Sequence, residues 1–529
     1  MIVPHPYLFE FSQTIAYTHT ASLTMAVSLD PRPTIFTSSH HEIIVVTLIC
    51  LAQFFTQAGI TLSLSTMNII LKSFDTIDSA KQVWFMGSYA LTVGTFILIS
   101  GKLGDLLGLK LIFVIGWIWT TVFSAITGLS NYVSVEFFII CRALQGIGFA
   151  LLIPCGMGIL GNIYPNGERK NLVFGCVGAN GPAGAFFGAF IAALIAQLWW
   201  WPWIFWLLSI GCVVLTIISM IYIPPITHHK LESYSEFFKR IDPLGTLTGI
   251  IGLILFNFVW TQGPVVGWNT AYIIALLIIA VLLIVAFFII ELYIAEYPLV
   301  PKSVFNLKIG MVLACISCGW GSFGIWQYYY WNIILNLRKY TPIAGSLTYV
   351  PFFVMGIIAA IASSIIISHT KPSYIISFST ICFMVGCLML SVTPIQQSYF
   401  RLTLGQMFIL CWAMDMSFPA ASIILSDYLP NHHQGMAGSL VSTVINYSVS
   451  LFLGMSSCVE TEIKLSTHNV LLSYRSGLYF GIGVASLGIF CSLIFIFVQR
   501  NDGKGTNALL VDLEEEIIRE STEDVMEKK

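Results

Sequence analysis

The sequence has 529 residues, of which 57% are hydrophobic and 9% charged, with a net charge of −2 and a mean hydropathy of +0.85. Soluble domains carry about 25% charged residues, so this composition cannot clothe a water-facing surface. It describes an all-α polytopic membrane protein, each span needing about 20 apolar residues. With no net positive charge, nothing points to a nucleic-acid partner.

Residues 1–41 are more polar than the stretch after them, with Pro4, Pro6, Pro31 and Pro33, and lack a basic segment leading into an apolar one. They read as a cytosolic tail, not a cleaved signal peptide. Apolar runs then predict spans over 42–65, 82–103, 109–129, 132–160 and 172–198, and a sixth from the tryptophan belt at 199–203 to Pro224 and Pro225. Tryptophan at a span edge is an interfacial anchor. A polar linker with Lys230, Lys239 and Arg240 precedes spans at 243–260 and 270–293. Six more occupy 310–334, 343–367, 374–392, 402–425, 435–458 and 474–498, giving fourteen.

The basic residues orient this map. Of 24 lysines and arginines, six fall in one set of loops (Lys72, Lys81, Arg338, Lys339, Lys464, Arg475), Arg142 and Arg401 lie in or at the edge of a span, and 16 lie on the side of the chain ends. The positive-inside rule makes both termini cytosolic. The tail from Arg500 holds Glu514, Glu515 and Glu516 among leucines and isoleucines and reads as solvated, since an acidic face gains nothing from anionic lipid. Eleven of the 12 cysteines, all but Cys458, sit in apolar runs as small hydrophobes. Cys315 and Cys318 lie in a membrane helix with no βαβ context, against a redox or zinc role.

A weak internal repeat relates Asn162-Ile-Tyr-Pro165-Asn-Gly to Asp427-Tyr-Leu-Pro430-Asn-His. The offset lays span one on span nine, so the expected organisation is a tail (1–41), a six-helix bundle (42–225), a linker with two inserted helices (226–308), a second six-helix bundle (309–499) and a tail (500–529). Parallel halves of this kind place a substrate site between them near the midplane.

Between spans two and three, Gly101, Lys102, Leu103, Gly104, Asp105, Gly108 and Lys110 crowd into ten residues, read here as a short loop. Glycines allow a tight turn and close helix approach, and Asp105 is suited to a helix N-terminus. Charges within spans are costly and functional by default. Arg142, in Arg142-Ala-Leu-Gln145-Gly146, and Asp415, the one acidic residue near the middle of a predicted span, pass that filter. A desolvated carboxyl such as Asp415 is suited to exchanging protons; a bonded structural carboxylate is the alternative. Span five reads Gly178-Ala-Asn180-Gly181-Pro182, where proline bends the helix and glycines form a groove. Gln53, Gln57, Asn180, Asn257, Trp326, Gln327, Tyr328 and Asn446 are candidates to line a cavity, although Asn and Gln also staple helices together.

The pattern Gly101-x-Leu103-x-Asp105-x-x-Gly108-x-Lys110 resembles the gating loop of the major facilitator superfamily, departing from it at Leu106 and Leu109. Arg142-x-x-Gln145-Gly146-x-Gly148 is similar to the family's second motif, whose arginine is tied to proton coupling. Gly181-Pro182 matches the core of the proton-antiporter motif, with Gly178 one residue out of register. Over 42–500 the chain resembles the fungal fourteen-span drug:H⁺ antiporter family 2, its aminotriazole-resistance, boron-exporter-like and low-affinity ammonium transporter branch. The resemblance implies a major facilitator fold of 6 + 2 + 6 helices and a monomer in the plasma membrane or an internal one. It implies proton-coupled export of a small solute or drug by alternating access. The alternatives are a facilitator or low-affinity importer of ammonium or borate, and a transporter-like nutrient sensor.

No enzyme is expected, and no cofactor or metal. The ten histidines lie in tails or loops without histidine-box spacing, and no Walker A pattern occurs. Reporter fusions at Lys529 and at Thr467, in the loop before the last span, should report opposite sides of the membrane; an external signal at Lys529 would reject the map.

Overall fold

In hydrocarbon a backbone N–H or C=O finds no partner outside its own helix, so apolar runs of this length fold as helices. The computed structural model describes residues 31–74, 79–165, 167–226, 234–429 and 436–527. The chain before residue 31, Lys230 of the linker and the Pro430 half of the internal repeat lie outside the described residues. Fourteen of the described helices are long and apolar enough to cross a membrane.

The first six are α1 (Ser39–Lys72), α2 (Val83–Leu107), α3 (Leu109–Leu129), α4 (Val135–Ile163), α5 (Glu168–Leu198) and α6 (Pro202–Tyr222). A short amphipathic helix, α7 (Tyr234–Ile241), leads into the inserted pair α8 (Pro243–Val266) and α9 (Ala271–Ile289). The rest are α10 (Leu307–Asn332), a one-and-a-half-turn helix α11 (Pro342–Leu347), α12 (Val350–His369), α13 (Pro372–Val392), α14 (Leu402–Tyr428), α15 (Met436–Thr467) and α16 (Val470–Glu527). Helix α16 continues past its membrane span without a break. Below, the face carrying the chain ends is called inner and the opposite face outer.

Local chemistry sets the helix ends. Ser38 and Ser134 cap α1 and α4 by accepting the amides of His41 (3.1 Å) and Phe137 (3.2 Å). Pro202, Pro243 and Pro372 occupy first-turn positions, where no amide is needed. The expected loop over Gly101–Phe113 is shorter than the sequence suggested. Helix α2 runs through Gly101, Lys102, Gly104 and Asp105 to Leu107, and α3 begins at Leu109. Gly108, at φ 105°, makes the turn in a conformation that excludes other residues. Gly104 serves packing: a Cβ there would stand 2.9 Å from both Cys155 Sγ and Leu109 Cδ2.

Helix α5 lies against α1 through Gly184 and Gly188, where Cβ atoms would stand 2.1 Å from the Phe54 carbonyl oxygen and 2.5 Å from Ala58 Cα. At the inner end Glu42 of α1 accepts the Tyr164 hydroxyl (2.6 Å) and a forked pair of bonds from Arg169 (2.9 and 2.5 Å). The Tyr164-Pro165 part of the repeat thus has a structural use, tying α1 to the turn between α4 and α5. Helix α2 crosses to α15: Ser450 donates to the Gly87 carbonyl (2.8 Å), and a Cβ at Gly94 would stand 2.3 Å from the Tyr447 amide nitrogen. Helix α8 lies along this seam. Trp84 donates to Gln262 (3.0 Å), and Tyr447 and Cys458 donate to the Leu253 and Trp260 carbonyls (3.0 and 3.3 Å). Helix α9 is the most lipid-exposed span, with 11% of its hydrophobic window buried.

The two glycines of α2 separate space from contact. Gly94→Ala drives a methyl into backbone that cannot yield, and overpacking costs about 1–3 kcal/mol. At Gly87 the nearest atom to an added Cβ is Ser450 Oγ at 3.7 Å, ordinary van der Waals distance. Thermal unfolding of purified protein should show a lower midpoint for Gly94→Ala and little change for Gly87→Ala.

Candidate substrate pathway and gates

Arg142 is 0% exposed, two turns inside α4. Its guanidinium donates to Gln145 Oε1 and to the Gly59 carbonyl of α1, and lies 4.5 Å from the Tyr89 ring centroid of α2 and 5.8 Å from that of Phe205 in α6. Gln145 donates onward to Ser124 of α3 (2.7 Å), and Tyr89 to the Thr56 carbonyl of α1 (2.9 Å). Gly146 and Gly148 admit this packing, since Cβ atoms there would stand 2.2 Å from Thr92 Oγ1 and 2.3 Å from Thr120 Oγ1. The side chain does not snorkel to the outer face.

The contact between halves is built on Pro182. A Cβ on Gly356 of α12 would stand 2.4 Å from Pro182 Cβ and 3.8 Å from Asp415 Oδ2. On the other side of the same turn, the corresponding position at Gly181 lies 3.9 Å from Gln57 Cγ and 4.0 Å from Gln53 Nε2. Gln53, Gln57, Pro182, Gly356 and Asp415 therefore surround one interhelical space. Asp415 is half-buried, and its Oδ2 is buried without a hydrogen-bond partner. Gln53 and Gln57 are half-buried and make no side-chain hydrogen bond among the described residues, as suits groups turned to a passage.

Sequence reasoning expects Arg142 and Asp415 to face one cavity from opposite halves. The structure does not bring them together. Arg142 is spent on α1, α2, α4 and α6, whereas Asp415 adjoins the α5–α12 contact.

Outward of this space the two halves are bonded to each other. Asn68 at the outer end of α1 donates to Asn336 Oδ1 beyond α10 (2.7 Å) and accepts from Gln82 (3.0 Å). Asn336 donates to Asn332 Oδ1 (3.0 Å) and the Tyr474 hydroxyl (3.3 Å). Gln197 of α5 accepts the Ile343 amide of α11 (3.2 Å). Phe353 stacks on Phe186 at 5.6 Å and meets Phe187 edge-on at 5.3 Å, one turn outward of Pro182. Inward, Gly178 and Gly175 continue from Pro182 along one face of α5, and a Cβ on either would meet nothing within 4 Å.

The other candidates divide. Asn180 is half-buried and bonds its own helix through the Cys176 carbonyl (2.8 Å), as Asn446 does through Ser442 (2.9 Å). Asn257 is a staple: fully buried, it accepts from Ser450 (3.1 Å) and joins α8 to α15. Trp326, Gln327 and Tyr328 are buried in the second half, Trp326 donating to Gln406 Oε1 (2.7 Å). Asp105 is exposed in the last turn of α2 and accepts no hydrogen bond among the described residues, so the expected helix N-terminus contact is not made in this conformation. Lys110 is half-buried at the start of α3.

Asn68 and Asn336 escape a reading by apolar runs, because both lie just past the ends of the predicted spans one and nine. Glu460 escapes it because α15 is longer than its apolar core; it accepts the Tyr329 hydroxyl at 2.9 Å.

The fourteen membrane-length helices, with polar and charged groups buried between them, are those of a membrane transporter. Residues 49–455 match the model described as Major Facilitator Superfamily. The chain belongs to that superfamily. It is 43% identical over 452 residues to the low affinity ammonium transporter of Saccharomyces cerevisiae, covering 85% of this chain and 87% of that one. It is 43% identical over 481 residues to the aminotriazole resistance protein of the same yeast, covering 90% and 87%. Among solved structures, a POT family transporter in complex with a thioalcohol conjugated peptide superposes with a TM-score of 0.63 at 14% identity, over 86% of this chain and 96% of that one, a likeness of fold.

The outer seal of Asn68 and Asn336 is uncharged, and each such bond is worth about 0.5–1.5 kcal/mol. Asn68→Ala should therefore raise the outward-open population several-fold. The measurement is labelling of Gln53→Cys by an impermeant maleimide added outside intact cells; an unchanged rate would remove Asn68 from the gate.

Proposed function

We propose that this chain is a proton-coupled antiporter that exports a small solute or drug by alternating access, working as a monomer in the plasma membrane. The single observation carrying the proposal is Asp415: a mid-span carboxylate with an unpartnered oxygen, beside the Pro182–Gly356 contact where the halves meet. A carboxyl there binds a proton from one side and releases it to the other as the contact opens and closes. Its charge changes in a place where charge is expensive. The Gly181-Pro182 turn supports the reading by putting the resemblance to the antiporter motif at the same contact. Gln53 and Gln57 offer neutral donors and acceptors to cargo.

In this proposal Arg142 is a positioning residue. It holds α1 through the Gly59 carbonyl, and Gln53 and Gln57 stand on the preceding turns of that helix. Asp105 and Lys110 serve the inner end of α2 in the opposite, outward-facing state, where a helix terminus of the second half approaches them.

The test is accumulation in vesicles under an imposed pH gradient, corrected for protein amount, using aminotriazole, ammonium and borate as cargo. Asp415→Asn keeps size and hydrogen bonding while removing the proton. It should lose uphill movement and keep substrate exchange; accumulation equal to wild type would make Asp415 structural. Arg142→Lys keeps the charge and loses the planar fork, so it should lower exchange and accumulation together. Movement indifferent to the pH gradient in the wild type would favour the facilitator.

A further inference from the structure

A second pair of carboxylates lies at the inner end of the inserted helices. Asp242 caps α8 from a left-handed conformation (φ 48°), its Oδ1 accepting the Gly245 amide at 3.2 Å. Glu291 lies in the π-helical turn Ile290–Ile294 that ends α9, its Oε2 accepting the Val300 amide at 3.1 Å. Asp242 is 8% exposed and Glu291 0%. The remaining oxygen of each, Asp242 Oδ2 and Glu291 Oε1, is buried with no hydrogen-bond partner. Both converge on one point: a Cβ at Gly245 would stand 2.1 Å from Asp242 Oδ2 and 2.9 Å from Glu291 Oε1. The two oxygens are no farther apart than the sum of those distances.

Among the described residues, Lys102 at the inner end of α2 is a cation close enough to act electrostatically on both. Its ammonium donates to the Tyr297 carbonyl (2.7 Å) and forms no ion pair within 4.0 Å among the described residues. Arg240 of α7 pairs with Glu236 (2.8 Å) and lies 5.6 Å over the Tyr297 ring. Two ionised carboxylates facing one ammonium leave an uncompensated buried charge, which is costly. Carboxylates a few ångströms apart do not both ionise readily, and one proton between them satisfies both. Among the described residues no third His, Cys, Asp or Glu joins these two carboxylates as a metal-binding group, and a single proton satisfies both orphaned oxygens.

We infer that Asp242 and Glu291 bind one shared proton at the inner mouth, the O–H of one carboxyl donating to the orphaned oxygen of the other. On release the proton passes to cytosolic water, and the two carboxylates compete with the Tyr297 carbonyl for Lys102. The attachment of the inserted pair to the end of α2 is then set by inner pH. The inference does not rest on the antiporter reading, because the site is assembled without Asp415 and its occupancy is measurable without transport.

The test is infrared spectroscopy of the full-length protein in phosphatidylcholine nanodiscs, tracking the carbonyl stretch of a protonated carboxyl through a pH titration. Difference spectra, wild type minus Glu291→Gln and wild type minus Asp242→Asn, cancel the contribution of Asp415. Each should show the same single band, equivalent to one proton per chain and disappearing together on alkalinisation. Asn caps helices and tolerates the left-handed conformation, so Asp242→Asn decides the matter if Glu291→Gln does not fold. The inference is overturned by no band in either difference. It is equally overturned by a Glu291 band that survives Asp242→Asn, or by loss of the band on adding sodium or potassium at fixed pH, which marks a cation site.

Discussion

A fixed positive charge buried in hydrocarbon has to be answered on every side, and the first half of this protein is arranged around that requirement. The planar, always-charged guanidinium of Arg142 takes the Gly59 carbonyl from α1, the Tyr89 ring from α2, Gln145 from its own helix and the Phe205 ring from α6. Gln145 extends the set to α3 through Ser124. Five of the first six helices thus share one cation, and glycines at 146 and 148 let them come close enough to do so. The second half solves the same packing without charge. At the offset that relates Pro165 to Pro430, Met407 stands where Arg142 does, and the neighbouring Gln406 accepts the Trp326 indole. Trp326, Tyr330, Trp331, Tyr349 and Phe352 stack around it, an aromatic core in place of an electrostatic one.

That asymmetry explains what was legible in sequence. The spans were readable because apolar length is itself the constraint, and their mapped cores hold even where helices such as α10 and α15 run several residues further. Gly101, Gly104 and Gly108 announced a close turn, but the sequence could not say that Gly108 makes it unaided while Gly104 serves packing. Arg142 stood out as a charge in a span; its partners did not, because a backbone carbonyl and a tyrosine face carry no signature. Polar residues were the hardest. Gln53 and Asn257 look alike in sequence, yet one turns to a passage and the other accepts a serine from a neighbouring helix. Only the rotation of each helix, fixed by packing, separates them. The pairing of Asn68 with Asn336, and of Asp242 with Glu291, joins residues far apart in the chain.

The closure between the halves and the contacts at the inner mouth use unlike chemistry, although the outer face also carries the Lys81–Glu136 ion pair (2.6 Å) within the first half. Outward, the closure is a chain of neutral amides, each bond weak on its own and able to re-form in water. Inward, charges congregate: Glu42 with Arg169 inside the first half, and Lys102, Asp242 and Glu291 where α2 meets the inserted pair. Neutral bonds suit a seal that must open once per cycle, because none leaves an unpaired charge behind. Charged groups suit contacts that persist within a rigid body, or that answer to the proton content of one compartment.

Two contacts between the halves decide where motion is possible. On one flank Gly94 brings α2 against the backbone of Tyr447; on the other, Gly356 brings α12 against Pro182. Each lies near the middle of its helices, and each depends on a residue with no side chain. Halves that rock about such points keep them nearly fixed while the ends above and below separate and close in turn. The inserted helix α8 is bonded to both partners of the first contact, to α2 through Trp84 and to α15 through Tyr447, Ser450 and Cys458. A helix bridging both halves survives the motion only if it sits beside a pivot, where displacement is least. Its outer end, near Gln262, and its inner end, at Asp242, lie on opposite sides of that point, so tilting carries them in opposite directions.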